Sequence, residues 1–338
     1  MSLARNHSDD YIYAVSRIRA IEKYLLDETK LQRMLEAKTA QEAIKVLEES
    51  GYGAENEVYS AEDYELLLKN EQKQLYSLIN ELMPQSDISK LFLTANDYHN
   101  VKVMLKAEFQ GLEHYQNLLY QCCNFELLKL EAIVRDRRLS YLPEIMAHAV
   151  QEALDAFNKS GNPQVIDTIL DRAQYKAMKE LASHTQSAFV INFIDIMLDL
   201  TNIKIFLRIK KLGRGWDYLK NILVEAGTLD YDVFIKNLEG SWDNFIEAMR
   251  YTPYGKLIEK GLEQYKKTGS FTKFEKLLDN YIMKYVAGAK YISFGIEPIV
   301  AYIQAKETEI KNARIIMVGK LNSISNEIIK ERLRKSYV

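Results

Sequence analysis

Proline and glycine are scarce in this chain, at 5 and 14 of 338 residues, where average usage would place the two together near about 12%. Sandwiches, barrels and parallel α/β folds need many turns, and turns draw on these two residues. Their scarcity excludes those classes and leaves long helices with few breaks. Cysteine is scarcer still: Cys122 and Cys123 are the only two. Adjacent in sequence, they cannot build a disulfide framework and suit a reducing cytoplasm. They read as two small helix residues, one of them buried, because a metal site needs more ligands than these. A charge excess is missing too. The 45 basic and 47 acidic side chains leave a net charge of −2, without the basic footprint of a nucleic-acid binder. Long apolar runs are absent as well. The longest stretch without Asp, Glu, Lys or Arg is Leu181–Ile194, 14 residues, against about 20 for a membrane span. Met1–Asp10 is polar and has no apolar core of a secretory signal.

Catalytic signatures are missing in the same way. There is no phosphate loop (Gly319-Lys320-Leu321 has the wrong context), no dinucleotide fingerprint, no nucleophile elbow and no zinc-protease helix. The five histidines, His7, His99, His114, His148 and His184, have no metal-ligand spacing. Glu144 and His148 lie four apart, which on a helix is an ordinary surface pair. Asp9-Asp10 is the only adjacent Asp pair, so paired Mg²⁺ motifs are lacking. The expectation is a chain that is not itself a catalyst, with no cofactor and no metal.

What is present is helical periodicity and repetition. Leu31, Met34 and Leu35 share one helix face, and Ala43, Ile44 and Leu47 share another. Thr39-Ala40-Gln41-Glu42 and Thr272-Lys273-Phe274-Glu275 read as capping boxes that start helices. Gly51 and Gly53 read as the stop of the helix begun at Thr39. Three segments carry one pattern of acid, Asn, base and apolar residue. They are Asp97-x-x-Asn100-x-Lys102-x-x-Leu105, Asp199-x-x-Asn202-x-Lys204-x-x-Leu207 and Glu309-x-x-Asn312-x-Arg314-x-x-Met317. The asparagines are 102 and 110 residues apart. Leu68, Leu170 and Leu278 recur at similar offsets, and Thr39, Ile44, Leu47 and Tyr52 match Ser241, Ile246, Met249 and Tyr254 at an offset of 202.

The expected architecture is therefore all-α, with three related helical units at 1–111, 112–213 and 214–338, packed around a pseudo-threefold axis or stacked as a solenoid. Asn disfavours helix interiors because its amide competes for backbone hydrogen bonds. Its recurrence implies a satisfied polar contact, with the acid three residues earlier or with a neighbouring helix, or else contact with a partner. Net charge runs −6, 0 and +4 across the three units, and Lys330, Arg332, Arg334 and Lys335 form the densest basic cluster. Arg332, Arg334 and Lys335 are the candidate interface residues.

The C-terminal run Glu297-Pro298-Ile299-Val300-Ala301-Tyr302-Ile303-Gln304-Ala305-Lys306-Glu307, with Glu309–Ile316 and Gly319-Lys320-Leu321-Asn322, resembles the C subunit of prokaryotic V/A-type ATPases, called the d subunit in eukaryotes. Tyr13–Arg19 is similar to that family's opening helix, while Ala54–Asp63 carries little family signal. The resemblance implies a funnel of three similar helical domains. In the family it caps the proteolipid rotor ring on the cytoplasmic side and receives the foot of the central shaft, while ATP binding and ion translocation belong to other subunits. The implied partners are the shaft subunits and the proteolipid ring, with no nucleic acid. Membrane association would be indirect, through the ring. The alternative is a helical-repeat adaptor of another cytoplasmic complex.

Overall fold

The computed structural model describes residues 11–53, 60–84, 86–225 and 227–338; the expectations for residues 1–10 and 54–59 lie outside them. Helix accounts for 76% of the chain, and no strand occurs among the described residues. The few prolines sit where a helix tolerates them, with Pro143 and Pro163 at N-caps and Pro298 in a first turn. Side-chain caps start several helices, as sequence spacing requires. Asp27 accepts from the Lys30 N–H (2.7 Å), Thr39 from Glu42 (3.1 Å) and Ser241 from Asn244 (3.1 Å). The second expected capping box differs. The helix begins at Thr272 itself, with Phe271 at the cap and no side-chain cap bond.

In chain order the helices are α1 (Ile12–Ile21), α2 (Glu28–Glu36), α3 (Ala40–Glu49), α4 (Tyr64–Leu82), α5 (Asp87–Gln110), α6 (Leu127–Arg135), α7 (Glu144–Ser160), α8 (Gln164–His184), α9 (Ala188–Leu212), α10 (Trp216–Ile222), α11 (Tyr231–Lys236), α12 (Trp242–Met249), α13 (Gly255–Thr268), α14 (Thr272–Ala287), α15 (Glu297–Leu321) and α16 (Asn326–Arg332). They group into two compact units, Ser86–Ala248 and Met1–Gln85 together with Met249–Val338.

Within the central unit, α5 lays Tyr98, Val101, Met104 and Leu105 into a core completed by residues that follow it, from Leu119 and Leu130 through Val150 to Leu170. The other unit repeats this arrangement with a break in the chain. Helix α15 lays Ile310, Ala313, Ile316 and Met317 against Leu31, Leu35, Ile44, Leu47 and Leu68. Those four α15 positions are each offset by 212 from the four on α5. Leu68 and Leu170, matched in the sequence pattern, occupy the two cores in the same role. Each motif helix thus leads its own bundle and packs with what comes after it. For α15, what comes after is supplied by the N-terminal segment.

This closure makes a checkable outcome. Met317 is fully buried, so Met317→Ala should cost about 2–5 kcal/mol in urea unfolding. Hydrogen exchange should also accelerate in α2–α4, far away in sequence. Unchanged protection of α2–α4 would refute the shared core.

Candidate functional site

The three motif helices end alike. Gly111, Gly213 and Ser323 adopt left-handed backbone, at φ of 65°, 64° and 53°. The next N–H returns to the helix in each case, from Leu112 to Ala107 (2.9 Å), Arg214 to Ile209 (3.3 Å) and Ile324 to Gly319 (2.8 Å). This Schellman closure turns the chain back along the helix. A short helical turn follows, then a leucine in extended backbone, Leu119, Leu223 or Leu333.

The residue after that leucine is held by the motif asparagine. The Asn100 Nδ2 donates to the Tyr120 carbonyl (3.0 Å), and Asn100 Oδ1 accepts from the Tyr120 N–H (2.8 Å). Asn202 does the same with Val224, at 2.9 Å for both bonds, and Asn312 with Arg334, at 3.0 and 2.8 Å. All three asparagines are buried. Their partner is neither the acid three residues earlier nor a neighbouring helix, but the main chain of the returning segment.

The motif acids hold the same segment further on. Asp97 accepts from the Asn124 N–H (2.8 Å) and Nδ2 (2.6 Å), and Asp199 from the N–H groups of Thr228 (2.8 Å) and Leu229 (3.0 Å) and the Thr228 hydroxyl (2.5 Å). The approach at Asp199 is close enough to demand glycine beside it. A Cβ on Gly227 would lie 2.1 Å from Asp199 Oδ1. Glu309 takes the Leu26 N–H (2.5 Å), the Tyr52 hydroxyl and the Lys306 ammonium (2.7 Å), and Lys306 also meets Glu71 (2.6 Å). Burial alone would lower the Lys306 pKa, but Glu309 and Glu71 outweigh it and hold it above the usual value. Burial, aided by Glu309, pushes the Tyr52 hydroxyl well up.

The motif bases face other elements. Lys102 pairs with Asp171, and Arg314 forks onto Glu65 (2.9 and 3.0 Å). Lys204 is likewise engaged. A further position escaped the sequence reading. Lys210 donates to the carbonyls of Asn237, Leu238 and Gly240 (2.6–2.8 Å), and Lys320 to that of Ala37 (2.6 Å). Both cations sit at the end of the following short helix, where its dipole favours them. At the matching position of α5, Glu108 meets Arg137 instead (2.6 Å). The signal was present as an offset of 102 and 110, but the inverted charge concealed it.

Other expectations resolve differently. Cys122 and Cys123 are not helical. They lie in the returning segment between Tyr120 and Asn124, half-buried, and burial raises the Cys123 thiol to about 11. Glu144 and His148 are 3.9 Å apart and almost fully exposed. Arg332 and Lys335 are exposed, whereas the Arg334 guanidinium is anchored on Asp279 (2.8 Å), with its side chain only 13% exposed. No helix among the described residues is long and apolar enough to cross a membrane, and no three His, Cys, Asp or Glu side chains among them converge as metal ligands.

The polar groups of the motif are thus consumed inside the fold, which defines a helical scaffold built on a repeated clamp. The chain belongs to the family described as ATP synthase (C/AC39) subunit, which matches residues 14–332. It is similar to the C subunit of the A-type ATP synthase of Methanocaldococcus jannaschii, 26% identical over 96% of this chain and 86% of the relative. It is also similar to the C subunit of the V-type sodium ATPase of Enterococcus hirae, 24% identical over 95% and 97%.

Two outcomes follow from the clamps. Asn202→Leu leaves the Val224 peptide without partners and should cost about 1–3 kcal/mol in chemical denaturation; a neutral result would mean water reaches that peptide. Burial raises the Asp97 carboxyl to about 6, partly offset by the bonds from Asn124. Its folded pKa lies above its unfolded one, so the native state binds the proton more tightly. Stability should therefore fall as pH rises from about 4 to 6, by about 3 kcal/mol for this group. Asp97→Asn should remove that slope, and an unaltered pH profile would contradict the assignment.

Proposed function

We propose that the chain is a non-catalytic rotor subunit of a V/A-type rotary ATPase, joining the central shaft to the proteolipid ring. It would sit peripherally on the cytoplasmic face and couple ATP turnover to H⁺ or Na⁺ translocation performed by other subunits. The family match over 14–332 supports membership in such a complex. We also carry forward the three-unit division and its pseudo-threefold funnel as part of this proposal, along with the kinship to the eukaryotic d subunit. The lead role of each motif helix suggests that each unit begins at that helix rather than ending with it.

The observation that carries the reading is the chemistry at the C-terminal ends of the motif helices. Leu112 and Leu118 follow α5, Leu212 and Trp216 flank the end of α9, and Leu321, Ile324 and Ile328 mark the end of α15. All are exposed, Leu212 at 69%. Exposed apolar groups recurring at one structural position mark a contact surface. Three such ends together would present the ring with an apolar face, while charged rims suit a shaft that docks from solution.

Reconstitution with the isolated ring and shaft tests this. Leu212→Ser with Trp216→Ser should weaken ring binding by about tenfold or more and uncouple ATP-driven ion transport, with the thermal midpoint of the isolated chain unchanged. Charge reversal at Arg332 and Lys335 should make assembly more salt-sensitive; reversal at Arg334 would also damage the fold. Full ring and shaft binding by every variant would favour an adaptor of another complex.

A further inference from the structure

We propose that the cleft bounded by α2, α14 and the segment after α16 binds a multiply charged phosphate group. The cleft encloses about 700 Å³, within the range of small-molecule sites. Five cationic side chains line it, Arg33, Lys276, Lys330, Arg334 and Lys335, against two acids, Glu28 and Glu36.

The clamp architecture does not require this imbalance. The central unit has a matching cleft of about 720 Å³, formed by α8 and the clamped Val224 just as this one is formed by α14 and the clamped Arg334. There Arg172, Lys176 and Lys179 face four glutamates. Equivalent geometry thus carries a slight acid excess in one place and three surplus cations in the other.

The surplus is not neutralised locally. Arg33 pairs with Glu49 (2.6 Å) and Arg334 with Asp279 (2.8 Å), and Glu36 accepts from Gln32 (2.5 Å). The ammonium groups of Lys330 and Lys335 meet no carboxylate among the described residues. Lys276 has only the Lys330 carbonyl (3.1 Å), and burial followed by the nearby Arg334 lowers its pKa. The Asn280 side-chain carbonyl is occupied by the Lys335 N–H (2.8 Å), leaving its amide NH₂ as a further donor. Compact ammonium charges without a planar fork suit a tetrahedral polyanion better than a single carboxylate.

This inference is independent of the rotor reading, and it is tested on the isolated full-length chain. Calorimetric titration with pyrophosphate at low salt should give a Kd on the order of 0.1 mM, weakening steeply with added salt. Lys330→Gln with Lys335→Gln should weaken it about tenfold or more without moving the thermal midpoint, while Lys176→Gln with Lys179→Gln, in the matching cleft, should leave it unchanged. Co-sedimentation with phosphatidic acid vesicles, against phosphatidylcholine vesicles, assigns the source. Loss in the same cleft variant would point to a lipid headgroup, and binding of pyrophosphate alone to a free phosphate. The proposal is overturned if neither probe binds, if binding survives the cleft variant, or if a polyglutamate peptide binds as well as pyrophosphate.

Discussion

An asparagine side chain is a peptide group detached from the main chain, able to give one donor and one acceptor to a neighbouring peptide. The fold depends on that equivalence. A segment leaving a helix and running back along it cannot be buried unless its N–H and C=O find partners. Asn100, Asn202 and Asn312 each supply both at once. The acid lies three positions before the Asn and the gripping residue, Glu108, Lys210 or Lys320, eight positions after it. At about 100° per residue these three rungs fall within about a quarter turn of one helix face. A single polar stripe on an otherwise apolar helix thereby lays down the returning segment and the helix after it.

The closure of α15 onto the N-terminal segment places the strongest electrostatics in the molecule at the seam. Glu309 takes the place of the aspartates of the other two motifs, and its longer side chain reaches the Leu26 N–H across 283 residues of sequence. The carboxylate cannot be buried there without a counter-charge, and Lys306, one helical turn earlier, supplies it with Glu71. Such a network adds little net stability over apolar packing, but it penalises severely any pairing that leaves one member alone. It therefore selects the correct seam among alternatives, which matters most where the joined segments are farthest apart in sequence.

The all-helical class, the repeat and the importance of the asparagines were legible because each rests on residue type at fixed spacing. The partner of the asparagine was not. Tyr120, Val224 and Arg334 share no chemistry, since only their peptide groups are used. For the same reason Cys122 and Cys123 read as helical: small residues look alike in a helix and in a segment pinned by its backbone. The grip on the following helix was hidden by a charge inversion that leaves its geometry intact, with an ion pair at Glu108 replacing a cation on carbonyls at Lys210 and Lys320. The anchoring of Arg334 depends on Asp279, 55 residues away, which no local pattern connects to it.

A clamp that reads the backbone on one side constrains only the residues that do the reading. The segment it holds is free to change its side chains, and the apolar cores need only volume and pattern. A scaffold of this kind can diverge widely while keeping its full length, which agrees with relatives at 24–26% identity aligned over 95–96% of the chain. It also resists deformation, because each rung joins a packed helix to the strap lying over it and interiors at crystal-like density yield little. A part that transmits load between two partners without chemistry of its own needs both properties: rigid geometry inside, and surfaces that can follow its partners as they change.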